Sequence, residues 1–191
     1  MKRIKLFLLF FCVATLAVAQ SPTDYKVDGA KSSLRWEAKK VVGGHEGTIN
    51  IKDGMVKVIG RTVTGGNFVI DMQSLVCTDA ERVTGHLKNA DFFDVEKFPT
   101  SIFVVTKVEQ TEKGASVTGK LTIKGITKDI SFPAVISIDE TKLVAKAEVK
   151  VNRLDYDIRY RSNSFFADLG NRAIEDIFTL HVSLVATSSV K

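Results

Sequence analysis

The stretch HLKNADFFDVEKFPTSIFVV, residues 86–105, is where the pattern of this chain breaks. On either side of it apolar residues recur at every second position. Residues 79–90 lose that alternation and carry Ala, Glu, Arg, Leu and Lys, which suit a short helix with Asp79 as its N-cap. The pair Phe92-Phe93 follows at once. Phe98-Pro99 then closes the segment, because proline pushes the preceding residue into extended geometry and lacks a backbone donor, so a new strand starts behind it. The stretch reads as a helical lid with an aromatic tip, inserted into an otherwise all-β protein.

Outward from this break, the period of two marks strands with one wet and one dry face. Leu34, Trp36 and Ala38 alternate with Arg35, Glu37 and Lys39. Ile49 and Ile51 alternate with Thr48, Asn50 and Lys52, after which Asp53-Gly54 reads as a turn into Met55 and its successors. Phe68, Ile70 and Met72 continue the series. Residues 101–108 are apolar on both faces in their first half, which predicts cover on both sides. Val117, Leu121 and Ile123, then Ile130, Phe132, Ala134, Ile136 and Ile138, give two more strands; Leu143 to Val151 and Phe178 to Leu184 complete the set. About eight long strands is the number at which a closed antiparallel barrel has an interior just wide enough for one small ligand. The short turns favour a meander.

Two clusters interrupt the series. Residues 153–161, RLDYDIRYR, place Arg153, Asp155, Asp157, Arg159 and Arg161 on one face of a strand and Leu154, Tyr156, Ile158 and Tyr160 on the other. A solvated, internally paired charged face is the plain reading; a polar rim that holds a ligand head group is the sharper one. Residues 162–172 form a loop with a second aromatic pair, Phe165-Phe166, which reads as a plug for the barrel end or as half of a gate opposite Phe92-Phe93.

At the N-terminus, Lys2, Arg3 and Lys5 precede an apolar run and the small-residue sequence Ala17-Val18-Ala19, the pattern of a cleaved secretory signal over residues 1–19. The run is shorter than the ~20 apolar residues a membrane anchor needs. Cys12 lies inside the run after Phe10-Phe11, which does not fit a lipoprotein. Export to the periplasm is the expected localisation, with secretion as the alternative, and residues 20–191 are expected to form one domain. The chain carries 27 basic and 22 acidic residues, net +5, but residues 1–19 hold three of the basic ones and no acid. The remainder, with 24 basic against 22 acidic residues, is only +2, so no nucleic-acid partner is implied. Cys77 is then the one cysteine left and no internal disulfide forms; it reads as a buried small hydrophobe near a strand end.

Enzyme signatures are absent. His45, His86 and His181 are scattered, with no HExxH and no cysteine cluster, so no metal site and no cofactor are expected. No G-x-S-x-G elbow occurs. Asp91, Asp94 and Glu96 read as loop-solvating acids, and Gly43-Gly44 and Gly65-Gly66 as bulges or tight turns.

Particular motifs add to this reading. Tyr25-Lys-Val-Asp28, Ser33-Leu-Arg-Trp36 and the Gly47-centred strand come first. Then come Leu87-Lys-Asn-Ala-Asp-Phe-Phe-Asp-Val95, Phe98-Pro-Thr-Ser-Ile-Phe103 and residues 117–128, VTGKLTIKGITK. Asn152-Arg-Leu-Asp-Tyr-Asp-Ile158 and Asp176-Ile-Phe-Thr-Leu180 close the series, in an order that resembles the YceI-like family of secreted, lipocalin-like lipid-binding proteins. Related sequences commonly have a simpler end where this chain has the 162–172 loop. The resemblance implies an extended eight-stranded antiparallel barrel, with the helical insertion around residues 79–90, holding a polyisoprenoid or quinone-like lipid without chemistry. Cavity-lining residues are expected to be Trp36, Phe68, Ile70, Phe92, Phe93, Phe103, Leu121, Ile123, Phe132, Ile136, Phe166, Phe178 and Leu180. The rival readings are a solid-core barrel acting as a stress-related or partner-binding protein and, more remotely, an enzyme on a lipid substrate. Transient membrane contact and a homodimer are compatible with either binding reading.

Overall fold

The computed structural model describes residues 21–188; the segment read as a signal peptide lies outside them. Nine antiparallel strands form one sheet: β1 (Thr23–Val27), β2 (Ser33–Lys40), β3 (Gly44–Ile59), β4 (Thr62–Cys77), β5 (Thr100–Thr111), β6 (Gly114–Ile123), β7 (Ile126–Ile138), β8 (Lys142–Asn152) and β9 (Ile174–Ser188). From β2 to β9 each strand pairs with the next, and β9 returns to β2, which closes an eight-stranded meander barrel. The short β1 lies end to end with β2. Both fill the gap between β3 and β9, with Tyr25 opposite Val56 and Ser188, and Trp36 opposite Gly47 and Leu180.

The two ends of the barrel differ. One is closed by tight hairpins after β3, β5 and β7. The other carries the β2–β3 turn, helix α1 (Glu81–Lys88) with the loop that follows it, and the long connection from β8 to β9. The residue patterns explain most of this arrangement. Apolar residues two apart on each strand turn inward and form a core over the whole barrel length, from Val58 and Leu143 near the hairpins to Val151 and Tyr156 near the helix.

Several expectations are corrected. Asp53-Gly54 makes no hairpin: β3 runs straight through it with a register shift after Ile51, and Gly54 leaves room for Val27, whose Cγ2 would stand 2.7 Å from an added Cβ. Helix α1 forms where the break in alternation places it, but its N-cap is Ala80 without a side-chain cap. Asp79 instead accepts hydrogen bonds from Cys77 and His45, so its carboxylate is turned away from the helix amides. Residues 153–161 are not a strand. Arg153–Tyr156 is a 3₁₀ turn, and Asp157 and Arg161 take left-handed φ values of 58° and 50°. Arg153 is buried, which overturns a wholly solvated charged face. Ile102 and Val104 on β5 stand outward and exposed, so that strand is not covered on both sides.

Gly47 shows why a glycine sits in mid-strand. A Cβ there would stand 1.8 Å from the Val76 carbonyl oxygen and 2.7 Å from the Trp36 ring, so its absence makes room for that carbonyl and the indole. The indole N–H donates to that same carbonyl at 3.1 Å.

A candidate lipid-binding cavity and its head compartment

The inward residues leave a cavity of about 210 Å³ inside the barrel. Its wall reaches from Val63, Leu143 and Leu184 near the hairpin end to Leu87, Phe93 and Phe178 near the helix. Of its lining residues only Ser101 and Lys146 are not apolar, and the buried Ser101 hydroxyl is satisfied by the Met72 sulfur at 3.0 Å. Lys146 is an exposed residue of β8, and the rest of the wall is apolar.

The structure puts Trp36 (β2), Phe68 and Ile70 (β4), Phe93, Phe103 (β5), Leu121 and Ile123 (β6), Phe132 and Ile136 (β7), and Phe178 and Leu180 (β9) on this wall. Phe103 touches both aromatic neighbours, with ring centroids 6.2 Å from Phe68 and 5.5 Å from Phe132. Two expected residues are elsewhere. Phe166 is 49 % exposed on its loop, because residues 162–172 fold outward and do not plug the barrel. Phe92 is buried, but it faces a second compartment. The aromatic pair thus splits: Phe93 faces the barrel interior, 6.4 Å from Phe178, while Phe92 packs against His86 and Tyr160. The wall also contains aliphatic residues from the same alternation, such as Leu34, Ile49, Val117 and Val149, which the period of two could have supplied.

The second compartment, about 350 Å³, adjoins the cavity at the helix end. Trp36 and Leu87 line both spaces and so stand between them. Lys40, Arg82 and Arg161 line it with His45 and His86, and none of its lining residues is a carboxylate. Among the described residues none of these three cations has a carboxylate partner; Lys40 Nζ reaches only His45 Nε2, at 3.4 Å, and Arg161 lies over the Tyr160 ring. The long connection is held in place by the buried Arg153 guanidinium, which donates to the carbonyls of Ile158, Tyr160, Ile174 and Glu175. Of the charged residues at 153–161, Arg161 is the one on the compartment wall.

Beside this compartment His45, Cys77 and Asp79 offer three potential ligand atoms within 4.8 Å of one another, a cluster invisible in the sequence because it joins β3 to the end of β4. Hydrogen bonds account for it. The Cys77 thiol donates to Asp79 at 3.0 Å and His45 Nδ1 lies 3.2 Å away. Burial and the adjacent carboxylate push the Cys77 thiol above its ordinary pKa, while the bond from that thiol, and then His45, hold Asp79 below its own. A protonated, buried thiol is a poor nucleophile.

Known proteins carry the same architecture. The crystal structure of BcnA from Burkholderia cenocepacia superimposes with a TM-score of 0.69 at 22 % identity, covering 84 % of this chain and 99 % of that one. A polyisoprenoid binding domain from Saccharophagus degradans matches with a TM-score of 0.62 at 14 % identity, over 86 % of this chain and 98 % of its own. In sequence, a UPF0312 protein of Pseudomonas putida strain W619 is 34 % identical over 133 residues, 65 % of this chain and 68 % of the relative. Residues 25–186 match the YceI-like domain model, from the first residue of the Tyr25 motif to two residues short of the end of β9, and the chain belongs to the YceI-like family.

Proposed function

We propose that this is a non-enzymatic binding or carrier protein for a long-chain apolar lipid, polyisoprenoid or quinone-like, which acts in the periplasm after export. The observation that carries the reading is the wall: an apolar lining that runs the length of a closed barrel, separated by Trp36 and Leu87 from a compartment whose Lys40, Arg82 and Arg161 have no carboxylate partner among the described residues. Each Å² of lipid surface taken from water into such a lining contributes about 25 cal/mol, with no polar contact needed along the chain. The compartment supplies what the wall lacks, a polar place for the head. The polyisoprenoid-binding neighbour supports the ligand class, and the N-terminal pattern of basic, apolar and small residues supports export.

The resting cavity, about 210 Å³, is smaller than the ~300–1,000 Å³ usual for drug-sized ligands. A long chain therefore enters only as wall side chains turn aside. The same small volume favours the second reading, a solid-core barrel that binds a partner. Trp36, the only tryptophan in the chain, sits at the boundary of the two spaces and reports on the difference. Titration with a polyprenol or a long-chain quinone changes its emission saturably if the barrel takes the lipid. Flat emission together with no heat of binding would leave the partner-binding reading.

A further inference from the structure

Four large apolar side chains stand exposed on two loops at the helix end. Val41 and Val42, 56 % and 64 % exposed, form the β2–β3 turn, and Phe165 and Phe166, 48 % and 49 %, belong to the connection between β8 and β9. The two loops are joined, since the Val41 N–H donates to the Ala173 carbonyl at 3.3 Å where that connection enters β9. Neither phenylalanine belongs to any of the core clusters. Arg159 lies over Phe165, 4.6 Å from the ring centroid, so a cation is held against the apolar crest.

The charges around these side chains are of both signs: Asp176 accepts from Ser164 beside Phe165 and pairs with Arg153, and Asp155 and Glu175 are exposed nearby. Lys39 and Arg159 are neutralised locally by Glu37 and Asp157. Lys40, Arg82, Arg161 and Arg172 have no carboxylate partner among the described residues. Asp168 is the one acid within the 162–172 loop. Exposed aromatic and aliphatic tips with unpaired Lys and Arg beside them match the chemistry of a bilayer interface, where apolar tips sink to the acyl boundary and cations meet phosphates. The same end bears the head compartment, so a protein seated there has its opening at the depth of the headgroups.

We propose that the helix end of the barrel is a docking surface for a lipid bilayer that carries anionic headgroups, with Val41, Val42, Phe165 and Phe166 inserted and Lys40, Arg82, Arg161 and Arg172 set against the phosphates. The lipid-carrier reading gives docking its purpose, but docking is measured without reference to cargo.

Flotation of the mature protein with phosphatidylcholine vesicles, with and without phosphatidylglycerol, tests it. Binding is expected to the phosphatidylglycerol vesicles and to fall as salt rises. The F165S/F166S double variant, altered only at exposed positions, should partition about tenfold more weakly while its melting temperature is retained. Equal partition of the variant, or no flotation of the unaltered protein, overturns the proposal. So does light scattering that shows a dimer converted to monomer by F165S/F166S, since the face then belongs to a second copy. Solvent extraction of the same samples separates the two claims: cargo without flotation sinks docking alone, and flotation without cargo sinks the carrier reading alone.

Discussion

Arg153 Nη2 lies 3.1 Å from Asp176 Oδ1, and the arginine side chain is only 5 % exposed. This pair fastens the 3₁₀ turn after β8 to the first residues of β9, with four backbone carbonyls completing the guanidinium's shell. Burial lowers the pKa of Arg153 and the Asp176 charge opposes that shift, so the buried cation depends on its partner. Arg153→Met should cost about 3–5 kcal/mol in urea unfolding, since it leaves several part-buried carbonyls without their donor and removes the cation beside Asp176. Asp176→Asn should cost less, because the 24 %-exposed side chain keeps contact with water and with the Ser164 hydroxyl.

Phe92 and Phe93 are neighbours with separate duties, and substitution should show it. Phe93 lines the cavity and is half-buried, so Phe93→Asp should leave a folded protein with reduced lipid uptake in the Trp36 titration. Phe92 is 7 % exposed and wedged between His86 and Tyr160, at centroid distances of 5.1 and 5.2 Å. Phe92→Ala should lose about 3–5 kcal/mol of stability, read by urea unfolding. Equal effects of the two changes on lipid uptake would contradict the division.

The Cys77–Asp79 contact makes stability sensitive to pH at both extremes. The thiol's pKa is raised in the fold, so its contribution is complete below the ordinary value of 9.0 and is lost as pH rises through the raised one. That of Asp79 is lowered, so its contribution is present above the ordinary value of 3.8 and is lost as pH falls through the depressed one. Alkylation of native protein by iodoacetamide should therefore be slow at neutral pH. In Asp79→Asn its pH midpoint should move down, since the carboxylate is removed and burial alone remains.

The barrel was legible because its strands are long and their inward residues regular: Val117, Leu121 and Ile123 alternate with polar neighbours and do face inward. The same rule misread residues 153–161. Tyr156 and Ile158 are buried at 1 % each and alternate with exposed Asp155, Asp157 and Arg159, so burial there does alternate by two. A 3₁₀ turn followed by a left-handed residue produces that alternation without a strand. Nor could composition separate the two aromatic pairs. Phe92-Phe93 is drawn inward by the bonds of the loop after α1, with Phe93 N–H on the Leu87 carbonyl and Val95 N–H on that of Lys88. The backbone N–H groups of Phe165 and Phe166 both bond to the Ser162 carbonyl within their own loop, and Arg159 covers Phe165 from outside, so this pair remains exposed. The second compartment was out of reach of any local pattern, because Lys40, Arg82 and Arg161 meet only when β2, α1 and the last long connection converge at one end of the barrel.

The central claim is that the barrel holds a lipid. It is tested most directly by organic extraction of the purified protein followed by mass spectrometry, on material from the native host and from a recombinant one. The account predicts a long-chain apolar molecule in stoichiometric amount, reduced in Phe93→Asp. Extracts from both sources that contain no such molecule would contradict it.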